Sequence, residues 1–186
     1  MLVIGNGQSR SSIDLSRIKD TKIGCNAIFR DVYVDHLVCC DRKMVKQALN
    51  YGRLNIYTRQ RWYNEFEDVN PLPDLPYKGR DRKDDPFNWG SGPYALLLGA
   101  ILDDNIDIIG FDLYGIEGKV NNIYSGTNGY HPKDSDKVDH SYWDYQISKI
   151  FKHHPNKSFK IYNTPDWTCP KGWNYSNVSV DNIANL

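Results

Sequence analysis

The run Ala95-Leu96-Leu97-Leu98-Gly99-Ala100-Ile101-Leu102 offers no polar residue to any side of a helix. A helix that is apolar around its whole circumference has to be buried, so the rest of the chain must enclose it. Its start is written in Gly90-Ser91-Gly92-Pro93, where Ser91 can cap and Pro93 fits the first turn. Directly after it comes Ile106-Asp107-Ile108-Ile109-Gly110-Phe111, which reads as a strand. A buried helix feeding a strand is the repeating piece of a parallel βα fold.

The same alternation runs along the chain. β-rich runs at 2–5, 22–25, 36–40, 55–58, 106–111 and 158–163 are separated by helical patterns at 12–18 (with Asp14 as an alternative start), 42–50, 60–66, 91–102 and 142–153. This predicts the α/β class: one Rossmann-like domain over residues 1–186, with a mostly parallel sheet and helices on both faces. Two stretches of little periodicity, 68–88 and 115–139, are expected to be long lid-like or acceptor loops. The charge run Lys78 to Asp85 reads as solvated surface within the first of them, and the tail after Pro165 reads as loop.

Lys plus Arg and Asp plus Glu number 23 each, so no overall charge draws the chain to nucleic acid or to an anionic membrane. A small-molecule partner is expected, with a homo-oligomer left open. No apolar run approaches the ~20 residues that cross a bilayer, and no basic segment precedes a hydrophobic one at the start. A cytoplasmic location is therefore expected. Cys25, Cys39, Cys40 and Cys169 lack CxxC spacing, which argues against a zinc site or a disulfide framework, and no metal ligand is expected. The 13 tyrosines and 5 tryptophans can stack on a sugar or base, or cap a small core.

Two glycine turns stand out for function. Gly5-Asn6-Gly7-Gln8-Ser9 follows the first strand, and Gly90-Ser91-Gly92 opens the apolar helix. The first either closes a strand or cradles a phosphate on exposed N–H donors; the second offers an electropositive helix end. The full G-x-G-x-x-G fingerprint is missing, since position 10 is Arg, and so are the G-x-x-x-x-G-K-[ST] loop and the G-x-S-x-G elbow. Asp112 and Tyr114 fall at the C-terminal end of the 106–111 strand, where ligands of open α/β sheets bind. His140, ahead of the last helix, is either a general base or a helix-start residue. Tyr114 and Tyr124 can donate hydrogen bonds to a departing phosphate, or simply pack.

In order along the chain, Val3-Ile4-Gly5-Asn6-Gly7-Gln8-Ser9, Ile13-Asp14-Leu15-Ser16-Arg17, Cys25-Asn26, Gly90-Ser91-Gly92, Gly110-Phe111-Asp112-Leu113-Tyr114 and His140-Ser141 form a pattern. It resembles the bacterial sialyltransferases of glycosyltransferase family 42 and their Rossmann-like relatives. The resemblance implies metal-independent, inverting transfer of a sugar from a CMP-activated donor. It implies donor contacts at Asn6, Asn26 and Ser91, and with the glycine turns and the strand ends the expected nucleotide-binding set is Gly5, Asn6, Gly7, Ser9, Asn26, Asp41, Gly90, Ser91, Gly92 and Asp112. It further implies His140 as base, with Tyr114 and Tyr124 on the leaving phosphate, and no cofactor beyond the CMP-sugar. The sequence departs from the family at Asp41, Gly90 and Asn88, positions that help select donor sugar and acceptor. Two other readings share the core: a pterin diphosphokinase-like transferase needing Mg²⁺, and a non-catalytic nucleotide-binding module.

Overall fold

The computed structural model describes residues 1–52 and 54–186. Its strands are β1 (Leu2–Ile4), β2 (Lys22–Cys25), β3 (His36–Val38), β4 (Ile56–Thr58), β5 (Val69–Pro71), β6 (Asn105–Ile109), β7 (Ser158–Asn163) and β8 (Val178–Asn182). Its α-helices are α1 (Arg42–Tyr51), α2 (Gln60–Tyr63), α3 (Ser91–Leu102) and α4 (Ser141–His153). The strands form one sheet in the order β5-β4-β3-β2-β1-β6-β7-β8, with every pairing parallel. The chain builds outward from β1 to β5, then crosses through α3 and resumes on the other side of β1 at β6. The order therefore reverses between β1 and β6, and the loops that leave those strands part to open a crevice.

Alternating strand residues feed two cores, as the two-residue period of a strand requires. Val3 and Ile23 face α3 and α4, while Leu2, Ile4 and Leu37 face α1 and the short 3-10 helix Asn26–Arg30. Helix α3 is enclosed as its composition demands, up to Ala100; Ile101 and Leu102 at its end emerge to about half exposure. A Cβ at Gly99 would come within 2.8 Å of Val3 Cγ2, so this glycine lets α3 lie close to the sheet. No helix among the described residues is long and apolar enough to cross a membrane.

Four segments differ from the sequence expectation. Residues 12–18 are not a helix: a 3-10 turn spans Gln8–Ser12, and the Asp14 carboxylate then accepts from the Ser16 N–H and hydroxyl and pairs with Arg17. Such local side-chain bonds compete with helix formation. The loop expected at 68–88 begins with strand β5, an edge strand on which Pro71 is tolerated because one side needs no ladder. The tail expected as loop after 165 supplies edge strand β8 and a core residue, Trp173, which is 1% exposed and donates its indole N–H to the Asp144 carbonyl. Helix α2 is also shorter than the pattern at 60–66.

The rest of the 68–88 segment is pinned rather than free. Asp84 accepts from the Asp81 N–H and the Tyr145 hydroxyl, and Gln146 of α4 donates to the Asn88 carbonyl. The 115–139 segment folds over the β1 loop, where the Ile123 N–H meets the Asn6 carbonyl at 2.9 Å.

Candidate functional site

A cleft of about 370 Å³ opens at the C-terminal edge of the sheet, over the β1/β6 reversal. Gly5, Asn6, Gly7, Asn26, Asp41, Gly90, Ser91, Gly92 and Asp112 all line it, so the structure brings together nine of the positions singled out in the sequence. Arg59, Trp89, Trp143, Phe111 and Asn122 line it as well. A floor of glycines and short amides under aromatic walls suits a ligand with a planar ring and several polar groups.

The first glycine turn is a closed clasp. Gly5 and Gly7 donate to the carbonyls of Ile109 and Gly110 at 2.8 and 2.9 Å, Gln8 N–H donates to Asn121 Oδ1, and Ser9 N–H donates to Asp112 Oδ2. Ser9 Oγ donates to the other Asp112 oxygen, and Arg10 Nε holds the Gly5 carbonyl from behind at 2.7 Å. The N–H groups of Gly5, Gly7, Gln8 and Ser9 are thus spent on the protein, and Ser9 lies outside the cleft lining. The glycines are required for another reason. A Cβ at Gly5 would sit 2.3 Å from the Gly110 carbonyl oxygen, and one at Gly7 would sit 2.3 Å from the Asp112 carboxyl carbon.

The second turn is open. Gly90 caps α3, and Ser91 does not, because its hydroxyl oxygen instead accepts from the Cys40 N–H at 2.9 Å. The N–H groups of Ser91 and Gly92 have no protein partner among the described residues, which leaves the positive end of a twelve-residue helix facing the cleft. Gly90 lies against the Trp143 indole nitrogen, 2.9 Å from where its Cβ would be.

Two amides complete the floor. Asn6 donates to the Cys25 carbonyl at 3.3 Å, yet its Oδ1 is buried without a partner, and so is the Oδ1 of Asn26. A buried acceptor left unpaired costs about 1–3 kcal/mol, which a ligand donor would recover. Asn26 also adopts φ 52, and Leu113, next to Asp112, adopts φ 64. For leucine that conformation costs about 1–3 kcal/mol, and such strain gathers at binding sites.

His140 and Tyr114 meet at the rim, their rings edge-on with centroids 5.0 Å apart. Neither lines the cleft, but Leu113 and Gly115 beside Tyr114 do, as do Val138 and Trp143 on either side of His140. Burial first, then the charges of Asp144 and Cys169, raise the Tyr114 hydroxyl above its usual range, so it stays protonated and can donate at neutral pH. Tyr124 lies elsewhere, 4% exposed in the core on the α1 face. Its hydroxyl donates to Asp31 and accepts from Arg10 Nη2 at 3.0 Å, linking a buried guanidinium to its countercharge. Packing, the bland reading of this tyrosine, describes its place.

Sequence reasoning passed over Arg59. It directly follows β4, so the rule that pointed to Asp112, a polar residue just past the C-terminal end of a strand, could have found it. Among the described residues no three His, Cys, Asp or Glu side chains converge as a metal site would require. Comparison of the chain with models of protein families, with characterised proteins and with solved structures finds no match.

Proposed function

We propose that this protein is a sialyltransferase-like glycosyltransferase that binds a CMP-activated sugar in the β1/β6 cleft and transfers the sugar to an acceptor hydroxyl with inversion. The observation that carries the reading is the pairing of unmet groups on the floor. The buried amide oxygens of Asn6 and Asn26 can accept from a base amino group or ribose hydroxyls, and the open end of α3 at Ser91 and Gly92 can receive a phosphate. The His140–Tyr114 contact at the rim supports the chemistry.

In this mechanism His140 removes the proton from the acceptor hydroxyl as its oxygen attacks the anomeric carbon. The bond from that carbon to the phosphate oxygen breaks, and CMP departs with the electron pair. Tyr114, held protonated, donates a hydrogen bond to the departing phosphate while α3 stabilises its charge. Asp41 and Asp112 serve differently: Asp112 holds the first turn, and Asp41 faces the cleft with its carboxylate free of any salt bridge among the described residues.

Titration calorimetry with cytidine, uridine, guanosine and adenosine monophosphates tests the donor site, with CMP expected to bind most tightly. His140→Ala should then lower transfer by roughly 10²–10⁴-fold while leaving CMP affinity nearly intact. Unchanged turnover in that variant would remove the proposed base. Tight CMP binding without any transfer would favour a binding module, a reading to which the position of His140 and Tyr114 outside the cleft lining lends weight.

A further inference from the structure

We propose that Arg59 is the specificity-determining residue of the cleft, and that it selects ligands carrying an oxyanion, a phosphate or a carboxylate, next to the open end of α3. The proposal deepens the reading of the cleft as a nucleotide-sugar site and rests on it.

Among the described residues Arg59 is the one arginine or lysine that lines the cleft. Its guanidinium is already held in place: Nη2 donates to the Trp89 carbonyl at 2.9 Å, and the carbon at its centre lies 4.9 Å from the centroid of the Phe87 ring. A fork fixed on two sides loses little freedom when it takes up a planar partner. Its Nε–H, however, is buried and unpartnered. No carboxylate pairs with Arg59 within 4.0 Å among the described residues, although both Asp41 and Asp112 line the same cleft. Asp112 is taken by Ser9. A buried cationic donor without a counterion is costly, and the natural relief is an anion supplied from outside.

The anchor also fixes where that anion must go. Trp89, whose carbonyl Arg59 holds, immediately precedes Gly90-Ser91-Gly92, so the guanidinium sits beside the unpartnered N–H groups of α3. Two positive elements, one a side chain and one a helix end, thus converge on one wall. In the clasped first turn the N–H groups of Gly5, Gly7, Gln8 and Ser9 are bonded to protein and do not compete. An oxyanion bridging the Arg59 Nε edge and the α3 end would satisfy both.

The test compares wild type with Arg59→Met and Arg59→Lys by titration calorimetry against CMP, cytidine, inorganic phosphate, glucuronate and glucose, at low and high salt. Wild type should prefer CMP to cytidine, or glucuronate to glucose, by about ten- to hundred-fold, and this preference should weaken as salt rises. In Arg59→Met the preference should collapse and its salt dependence flatten, while cytidine or glucose affinity and the melting temperature hold. Arg59→Lys, which keeps charge but lacks the Nε edge, should fall between. Loss of the CMP preference identifies phosphate as the selected group, and loss of the glucuronate preference identifies carboxylate. If Arg59→Met keeps both preferences, or if wild type shows neither, the role assigned to Arg59 is overturned. Failure of wild type to bind CMP or cytidine, with phosphate or glucuronate still bound through Arg59, would sink the nucleotide reading and leave the anion site standing.

Discussion

The two glycine turns look alike as sequence, Gly5-Asn6-Gly7 and Gly90-Ser91-Gly92, and both line one cleft. Their backbones are in opposite condition. In the first, the N–H groups of Gly5, Gly7, Gln8 and Ser9 are all bonded to protein, and the glycines exist to let backbone and carboxylate approach. In the second, the N–H groups face the cleft unpartnered, and a Cβ at Gly92 would touch only the Phe111 ring at 3.6 Å. A glycine pair beside a ligand site can serve either as a rivet that fixes the floor or as a socket left open for a guest. What separates the two is where the donors point.

Alanine substitution should split the turns most sharply. Gly5→Ala forces its Cβ against the Gly110 carbonyl oxygen and should cost about 3 kcal/mol or more in chemical denaturation, the upper end for overpacking. Gly92→Ala should stay within about 0.5 kcal/mol of wild type. Equal losses at the two sites would erase the distinction.

Asp112→Asn comes next, because it replaces the charged acceptor of Ser9 N–H and Oγ with a neutral amide. A stability loss of about 1.5–3 kcal/mol is expected, with denaturant midpoints as the readout. Tyr124→Phe removes the hydroxyl that joins Arg10, behind the first turn, to Asp31. It should lower stability by about 1–3 kcal/mol and leave transfer per folded molecule unchanged. A large fall in turnover at full stability would instead place Tyr124 on the leaving group, as the family resemblance implies.

The smallest effect concerns the thiols under the turns. Burial pushes the Cys25 thiol, beneath the first turn, up to about 12, and Cys40, beneath the second, is raised for the same reason. Both should resist alkylation at pH 8, where each stays a protonated thiol. Cys40, whose N–H donates to Ser91 of the open turn, should react before Cys25. The reverse order in a mass-resolved alkylation time course would show the first turn to be the looser.

The parallel sheet was legible because six of its strands are short apolar runs separated by helical periods. The edge strands were not: Val69-Asn70-Pro71 hides in a proline-rich stretch, and Val178-Ser179-Val180-Asp181-Asn182 is mostly exposed, so little hydrophobic pattern marks it. Both glycine turns were legible as positions. Their opposite condition was not, since the partners that close the first, Asp112 and Asn121, lie 103 and 113 residues from Ser9 and Gln8. No local window contains such a bond. The pairing of Tyr114 with His140 follows from placing both at the C-terminal edge, whereas Tyr124 lies in a loop whose path only tertiary contacts determine.

The same long separations set an order of events in time. Strands β1 to β5 can pair with near neighbours in the chain, but β1 meets β6 only after about a hundred residues of intervening chain have been brought back. Contacts of that span close late in folding. The clasp around Gly5 and Gly7 needs Gly110 and Asp112, so it cannot lock until the two halves of the sheet have docked. A refolding chain should therefore recover its helices and its first strands before it recovers any affinity for ligand, and the binding cleft is the last part of the molecule to mature.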